Sequence, residues 1–195
     1  MKFHTRDGFS LIELLVVMTI LTTITSVVLA NHSRFNGSVL LGSLAYDIGL
    51  SIRQAQVFGL SVRQYADVAE GFQVGYGVHF SDASSYIFFA DTNENNIYDV
   101  DTDQILNSYA VGRGHTISRF CGVTSGGTEE CNTSPSPISS LDIVFLRPNP
   151  DAIMTSDLTG VSEVYSQGII EVSSPSGDTR RVVVASTGQI SVQNP

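Results

Sequence analysis

Asp7-Gly8-Phe9-Ser10-Leu11-Ile12-Glu13-Leu14-Leu15-Val16-Val17 opens an apolar stretch that runs on to Ala30. The polar residues inside it are mostly Ser and Thr, whose hydroxyls can bond back to a helix carbonyl. Phe9 to Ala30 is 22 residues, and a helix needs roughly 20 apolar residues to cross a hydrocarbon core. Glu13 breaks the pattern. A carboxylate in a membrane helix costs about 2.5–3.5 kcal/mol even on lenient insertion scales, so it calls for a partner.

Cutting the chain supplies one. Small Gly8 sits between a charged leader (Lys2, Arg6, Asp7) and the apolar run. Cleavage after Gly8 frees an α-amino group on Phe9, and Glu13 becomes the fifth residue of the mature chain. Phe9 and Glu13 stand i, i+4 on one helix face. Glu13 can therefore neutralise its own amine or that of a neighbouring copy. In the second case one buried charge pair sets the axial offset between apolar helices.

Gly8-Phe9-Ser10-Leu11-Ile12-Glu13-Leu14-Leu15-Val16-Val17 resembles the prepilin leader of type IV pilins and type II secretion pseudopilins. The resemblance implies that a prepilin peptidase cuts between Gly8 and Phe9 and N-methylates Phe9. It implies a helix that serves first as an anchor in membrane lipid and later as the core of a filament. The partners implied are other pilin or pseudopilin subunits and an inner-membrane assembly platform, and the exported head is held by a single pass. An ordinary secretory signal differs: its apolar region is shorter, and the small-residue cleavage site follows it.

Charged residues make up 15% of the chain and the formal net charge is −9. Removing Lys2, Arg6 and Asp7 with the leader leaves 8 basic and 18 acidic side chains, a charge of −10, with no lysine. A globally acidic surface repels phosphate backbones, so non-specific nucleic-acid binding is disfavoured. Cys121 and Cys131 flank a Gly-rich loop. In an exported domain such a pair is expected as a disulfide.

Beyond the apolar run, Leu41, Leu44, Ala45, Ile48, Ile52, Ala55, Gly59 and Val62 recur at spacings of three and four. That is one face of an amphipathic helix. Asp47, Arg53 and Gln54 fall toward water. Gly37 and Gly42 are weak helix positions where a bend or local melting is expected. No proline precedes Pro135, so a nearly continuous helix from Phe9 to about Ser61 is permitted, roughly 80 Å long at 1.5 Å per residue.

Period-two strands follow: Gly75–Phe80, Ser85–Ala90, Gln104–Val111, Thr116–Phe120, Leu141–Leu146, Gly168–Ser173, Arg180–Ala185 and Gln189–Val192. Turns at Ser81–Ser84 and Ser174–Asp178 read as hairpins. The expected architecture is α+β, with a long N-terminal helix packed on an antiparallel sheet. The expected organisation is a leader at 1–8, a membrane or filament-core helix at 9–30, its amphipathic continuation at 31–64, and a β-rich head at 65–195.

Leu44-Ala45-Tyr46-Asp47-Ile48 through Arg53-Gln54-Ala55 resembles the segment after the anchor in GspH/FimT-type minor pseudopilins. Thr179 to Ile190 is similar to that family's closing strands. FimT-like members implicated in DNA uptake use basic residues there, often directly after the Gly. Here Gln189 follows Gly188, a departure that argues against a DNA role.

Asp91, Asn93, Asn95 and Asp99 occupy positions 1, 3, 5 and 9 of a calcium-loop pattern, with the Ile97 carbonyl at position 7. Asn96 holds the sharp-turn position, and Thr102 stands where a bidentate Glu would close the site. Hard oxygen ligands in alternation suit Ca²⁺. The alternative is a metal-free Asx-rich turn. His32, His79 and His115 are scattered, and no Ser lies in a nucleophile elbow, so an enzyme is not expected. Two functions remain in view: a prepilin-type filament subunit, minor pilin or pseudopilin, or a filament-tip adhesion or DNA-binding module on the same anchor.

Overall fold

The computed structural model describes residues 8–61, 74–133, 137–158 and 164–194, side chains of residues 30–36 excepted. The chain divides into two compact units, Met1–Gly37 and Ser38–Pro195. Helix α1 (Leu11–Leu60) contributes to both.

In the first unit, Leu11–Leu29 is apolar enough and long enough to span a membrane, and none of it is buried. Its threonines turn inward along the backbone. Thr22 Oγ1 donates to the Met18 carbonyl at 2.9 Å, and Thr25 Oγ1 to Leu21 at 2.7 Å. The hydroxyls are thus satisfied within the helix, leaving an almost wholly apolar outer surface. Helical turns continue through Gly37 and Gly42, so the local melting expected at those glycines does not occur.

The second unit places the C-terminal part of α1 against two antiparallel sheets, where the sequence pointed to one. Sheet A has the order β3-β2-β1-β6-β7, from β1 (Gly75–Phe80), β2 (Ser85–Asp91), β3 (Gln104–Ala110), β6 (Leu141–Phe145) and β7 (Ala152–Ser156). Sheet B has the order β10-β9-β8-β4-β5, from β4 (Thr116–Val123), β5 (Glu129–Cys131), β8 (Gln167–Ser173), β9 (Thr179–Ala185) and β10 (Ile190–Gln193). Both expected hairpins are present, β1–β2 and β8–β9. β5 and β7 carry no clear alternation; β5 is three residues long, held opposite β4 by the pairing of Cys121 with Cys131.

One apolar core joins helix and sheets. Leu41, Ala45, Ile48, Ile52 and Ala55 of α1 are fully buried with Val78, Phe80, Ile143, Phe145, Ile170, Val172, Val182 and Val184. The stripe read from the spacing is therefore the packed face, Leu44 being half-buried at its margin; Val62 lies outside the described residues. Asp47 and Arg53 are exposed. Near its C-terminal end, Gln56 donates to the carbonyls of Pro150 (2.9 Å) and Gly188 (3.0 Å). This buried amide was not anticipated, because Gln looks like a surface residue in a helical pattern.

Every residue of β1 is buried, so sheet A is covered on both faces. Val78 and Phe80 face the core. Gly75, Gly77 and His79 face the other way, and an added Cβ at Gly77 would stand 2.8 Å from Val144 and 2.9 Å from Phe89. The loop after β2 covers this second face: the Tyr98 ring lies 4.8 Å from His79 and 5.1 Å from Phe89, centroid to centroid.

β3 is the edge of sheet A and largely exposed. Its register shifts between Phe88 and Phe89, leaving Leu106 without an opposite residue, and the Ser108 amide donates to the Asn107 side chain at 2.9 Å.

Two helix glycines give a contrast. Gly42 has open space where a Cβ would go, whereas at Gly59 a Cβ would collide with the Phe145 carbonyl. Gly42→Ala should stabilise the chain by roughly 0.5–1 kcal/mol. Gly59→Ala should destabilise it by about 1–3 kcal/mol through overpacking. Thermal unfolding of the two variants in detergent micelles, followed by near-UV circular dichroism, should show Tm shifts of opposite sign.

Candidate functional site

Two regions carry chemistry: the loop between β2 and β3, and the start of α1. The loop is bracketed by buried acids, Asp91 at 1% exposure and Asp103 at 9%. Asp91 Oδ1 accepts from the Asn95 amide at 3.2 Å, and Oδ2 from the Asn96 amide at 2.8 Å. Asn93 Oδ1 accepts from the Asn95 amide and Asn95 Oδ1 from the Ile97 amide, so Asx turns succeed one another along the chain. Glu94 and Asn96 take φ of 58° and 62°. The left-handed conformation suits Asn and costs Glu more. Asp99 Oδ2 accepts from both the Asn93 and Asn95 side-chain amides, at 2.9 and 2.6 Å. Asp103 closes the loop, with Oδ1 on the Thr92 amide and Oδ2 on the Asp99 amide. Burial pushes the Asp91 carboxyl up to about 6; the amides of Asn96, Asn95 and Glu94 oppose the rise, and the Asp103 charge adds to it.

Asp91, Asn93, Asn95 and Asp99 thus converge on one short turn. Their oxygens fit a hard cation in kind, while the same groups also hold the turn by hydrogen bonds. Sequence reasoning missed what lies beneath. Asp142 of β6 is fully buried and its Oδ1 meets His79 Nδ1 at 2.7 Å. Thr155 Oγ1, from β7, donates to the Asn96 carbonyl at 2.8 Å. The missed signal was an acid inside an apolar strand, Leu141-Asp142-Ile143-Val144-Phe145.

Cys121 and Cys131 are joined in a disulfide, Cα to Cα 4.0 Å. Their sulfurs lie close to the Glu129 carboxylate, but sulfurs bound to each other are not available as thiolate ligands. Glu130 accepts from the Tyr165 hydroxyl at 2.6 Å. Arg181 Nε donates to Glu171 at 2.8 Å, and Arg119 lies 3.7 Å from the same carboxylate. Arg180 donates to the carbonyl of Thr179, in its own strand.

At the other end, Gly8 and Phe9 precede α1 and are exposed, Phe9 to 81%. The Leu14 amide reaches the Ser10 carbonyl at 3.2 Å, which starts the helix, and Glu13 stands in its first turn. A carboxylate there gains about 0.3–1 kcal/mol from the helix dipole. The roughly 2.5–3.5 kcal/mol insertion cost belongs to a charge at the centre of a membrane helix, whereas Glu13 stands in the first turn. Gly8, Phe9, an acid four residues further on and an exposed apolar helix follow in order. Residues 4–29 match the family model of the prokaryotic N-terminal methylation motif.

The match supports a prepilin-type N-terminus of the type IV pilin-like kind, found in subunits of pili and secretion systems. Such a motif implies processing by a prepilin peptidase and assembly with other pilins. Together with the apolar helix, it fits a membrane-anchored, exported chain. No curated protein matches the chain, and no solved structure does.

The disulfide staples the β4–β5 hairpin. Replacing both Cys121 and Cys131 by Ser should cost about 2–4 kcal/mol. In a chain of this size that is a fall in Tm of about 5–15 °C, measurable by thermal unfolding without reductant. Peptide mapping of the parent chain without reductant should recover the linked pair.

Proposed function

We propose that this chain is a minor pilin or pseudopilin of the GspH/FimT kind, a subunit of a type IV pilus or type II secretion filament. It is cut after Gly8, N-methylated at Phe9 and assembled through its N-terminal helix. The observation that carries this reading is the exposed apolar helix Leu11–Leu29, led by Gly8–Phe9 and bearing one acid, Glu13. In lipid that surface is solvated by acyl chains. In a filament it is covered by the helices of neighbours, where Glu13 meets the amine of a neighbouring Phe9. The division 1–8, 9–30, 31–64 and 65–195 follows the same logic: leader, apolar helix, amphipathic continuation, head.

The alternative of a DNA-binding head gains no observation. Arg119 and Arg181 flank the Glu171 carboxylate, and phosphate would have to displace it. A head of net negative charge offers little counterion release to recover that loss.

Intact-mass spectrometry of protein extracted from a host with prepilin peptidase should give a chain beginning at Phe9 and carrying one added methyl group. A mass that retains Met1 to Gly8 would refute the processing step. Glu13→Val should leave cleavage and insertion intact and reduce the ratio of sheared-filament to membrane-retained protein. Removing one partner of a buried pair strands the other charge, at about 3–5 kcal/mol. Glu13→Asp should fall between, since the sign is kept and the reach is shortened. Wild-type incorporation of Glu13→Val would remove the charge-pair account.

A further inference from the structure

The face of α1 turned away from the core is not polar throughout. Val39, Tyr46, Leu50, Val57 and Leu60 are each between 36% and 68% exposed. They follow one another at steps of seven, four, seven and three residues. Ser43 and Arg53, both exposed, stand at the positions that complete the repeat. Alternating steps of three and four make the seam of a coiled coil, written a and d in each heptad. With Ser43, Leu50 and Val57 at a, the d positions are Val39, Tyr46, Arg53 and Leu60. The fully buried Leu41, Ala45, Ile48, Ile52 and Ala55 then fall at c and f, away from that seam.

The head therefore leaves this stripe uncovered. Lipid leaves it uncovered too, because polar Asn31, His32, Ser33 and Arg34 separate it in sequence from the apolar span Leu11–Leu29. Single exposed apolar residues need no explanation, but an aligned row of them marks a contact with another protein surface.

The charges in the stripe say which surface. Arg53 sits in the seam and Asp47 flanks it at e. Neither has an ion-pair partner among the described residues; Arg53 donates to the Gln56 side-chain oxygen of its own chain. Copies anchored in one membrane, each exporting its head to the same side, lie parallel. In register, they would set Arg53 against Arg53. Displaced by one heptad, they are complementary. Arg53 of one copy then stands level with Tyr46 of the next. It enters the hole formed by Ser43, Tyr46, Asp47 and Leu50, where a carboxylate and an aromatic face both suit a guanidinium. Leu50 stands level with Ser43 and enters the hole formed by Val39, Gly42, Ser43 and Tyr46. At Gly42 the place of a Cβ is open space.

We infer that the outward stripe of α1, from Val39 to Leu60, is a contact between two copies of this chain offset by seven residues, Arg53 of one held by Asp47 and Tyr46 of the next. Knob and hole occupy different parts of the stripe, so the contact is heterologous and a row of copies can continue. The chain can then follow itself in a filament and is not confined to a single position there. The inference rests on the assembly reading for the parallel arrangement of copies, and adds a contact outside the apolar span. A helical assembly gives each copy several neighbours, and this contact needs one.

The test uses the full-length chain in a host with prepilin peptidase and the assembly machinery. The native cysteines are joined to each other, so an added one reports the seam. Co-expressed Ser43→Cys and Leu50→Cys chains should give a cross-linked dimer in sheared filaments after mild oxidation, and a chain carrying both substitutions should give a ladder. Seven residues span about 10 Å of helix, too far for a bridge within one chain. In that background Arg53→Asp or Asp47→Arg should lower the cross-linked fraction by about fivefold or more. The two together should restore it to within about twofold. Residues six apart do not face each other on one helix, so this rescue reports a contact between chains. Leu50→Cys chains that cross-link to one another as readily would place the copies in register and overturn the inference. So would charge reversals that fail to rescue each other. Filaments of mature chain without the Ser43–Leu50 cross-link would also overturn it, while leaving the assembly reading intact. A chain that keeps Met1 to Gly8 and enters no filament would remove both.

Discussion

Burial of one helical face holds the second unit together. Leu41, Ala45, Ile48, Ile52 and Ala55 fill the space on which both sheets close, and none of the five retains contact with water. Removing one Leu or Ile from such a core costs about 2–5 kcal/mol, a large part of a typical domain's net stability of about 5–15 kcal/mol. Smaller groups then fix the register. Gly59 lets the helix approach the Phe145 backbone, Gln56 ties it to the carbonyls of Pro150 and Gly188, and Ser51 meets the Tyr86 hydroxyl at 3.1 Å. The helix is positioned by polar contacts at its rim and stabilised by apolar ones at its centre.

The same helix meets two solvents. Over Leu11–Leu29 it is apolar all round and its hydroxyls bond to its own carbonyls. Over its second half the buried apolar residues fall in one stripe, and Asp47 and Arg53 face out. A helix of the first kind needs lipid or other helices around it, and one of the second kind needs a single partner surface. The change in pattern within one continuous element is what a chain requires if it is anchored at one end and folded at the other.

The helix was legible because its signal is long: the apolar run and the three-four spacing each extend over many residues. The long strands were legible for a related reason, since Gly75–Phe80 and Ser85–Ala90 alternate clearly and flank a polar turn. What escaped is short or depends on the third dimension. β5 is a three-residue strand paired with β4, Cys131 standing opposite Cys121. Division into two sheets is a matter of which strands pair, and composition does not encode pairing. At the loop, Asp91, Asn93, Asn95, Ile97 and Asp99 could be read from spacing. Asp142 could not be assigned to the same place, because it reaches the loop through a strand pairing with His79.

The edge strand β3 has a further consequence. Seven residues with neither charge nor proline, partly apolar and open on one side, would ordinarily recruit a strand from another molecule. Here the bulge at Leu106 breaks the straight run, and the Ser108 amide is taken up by the Asn107 side-chain oxygen. An incoming strand would find a kinked template with one donor already occupied. Any chain that meets its own copies at high density in a membrane gains from this. A kinked edge of this kind makes a poor template for a further strand.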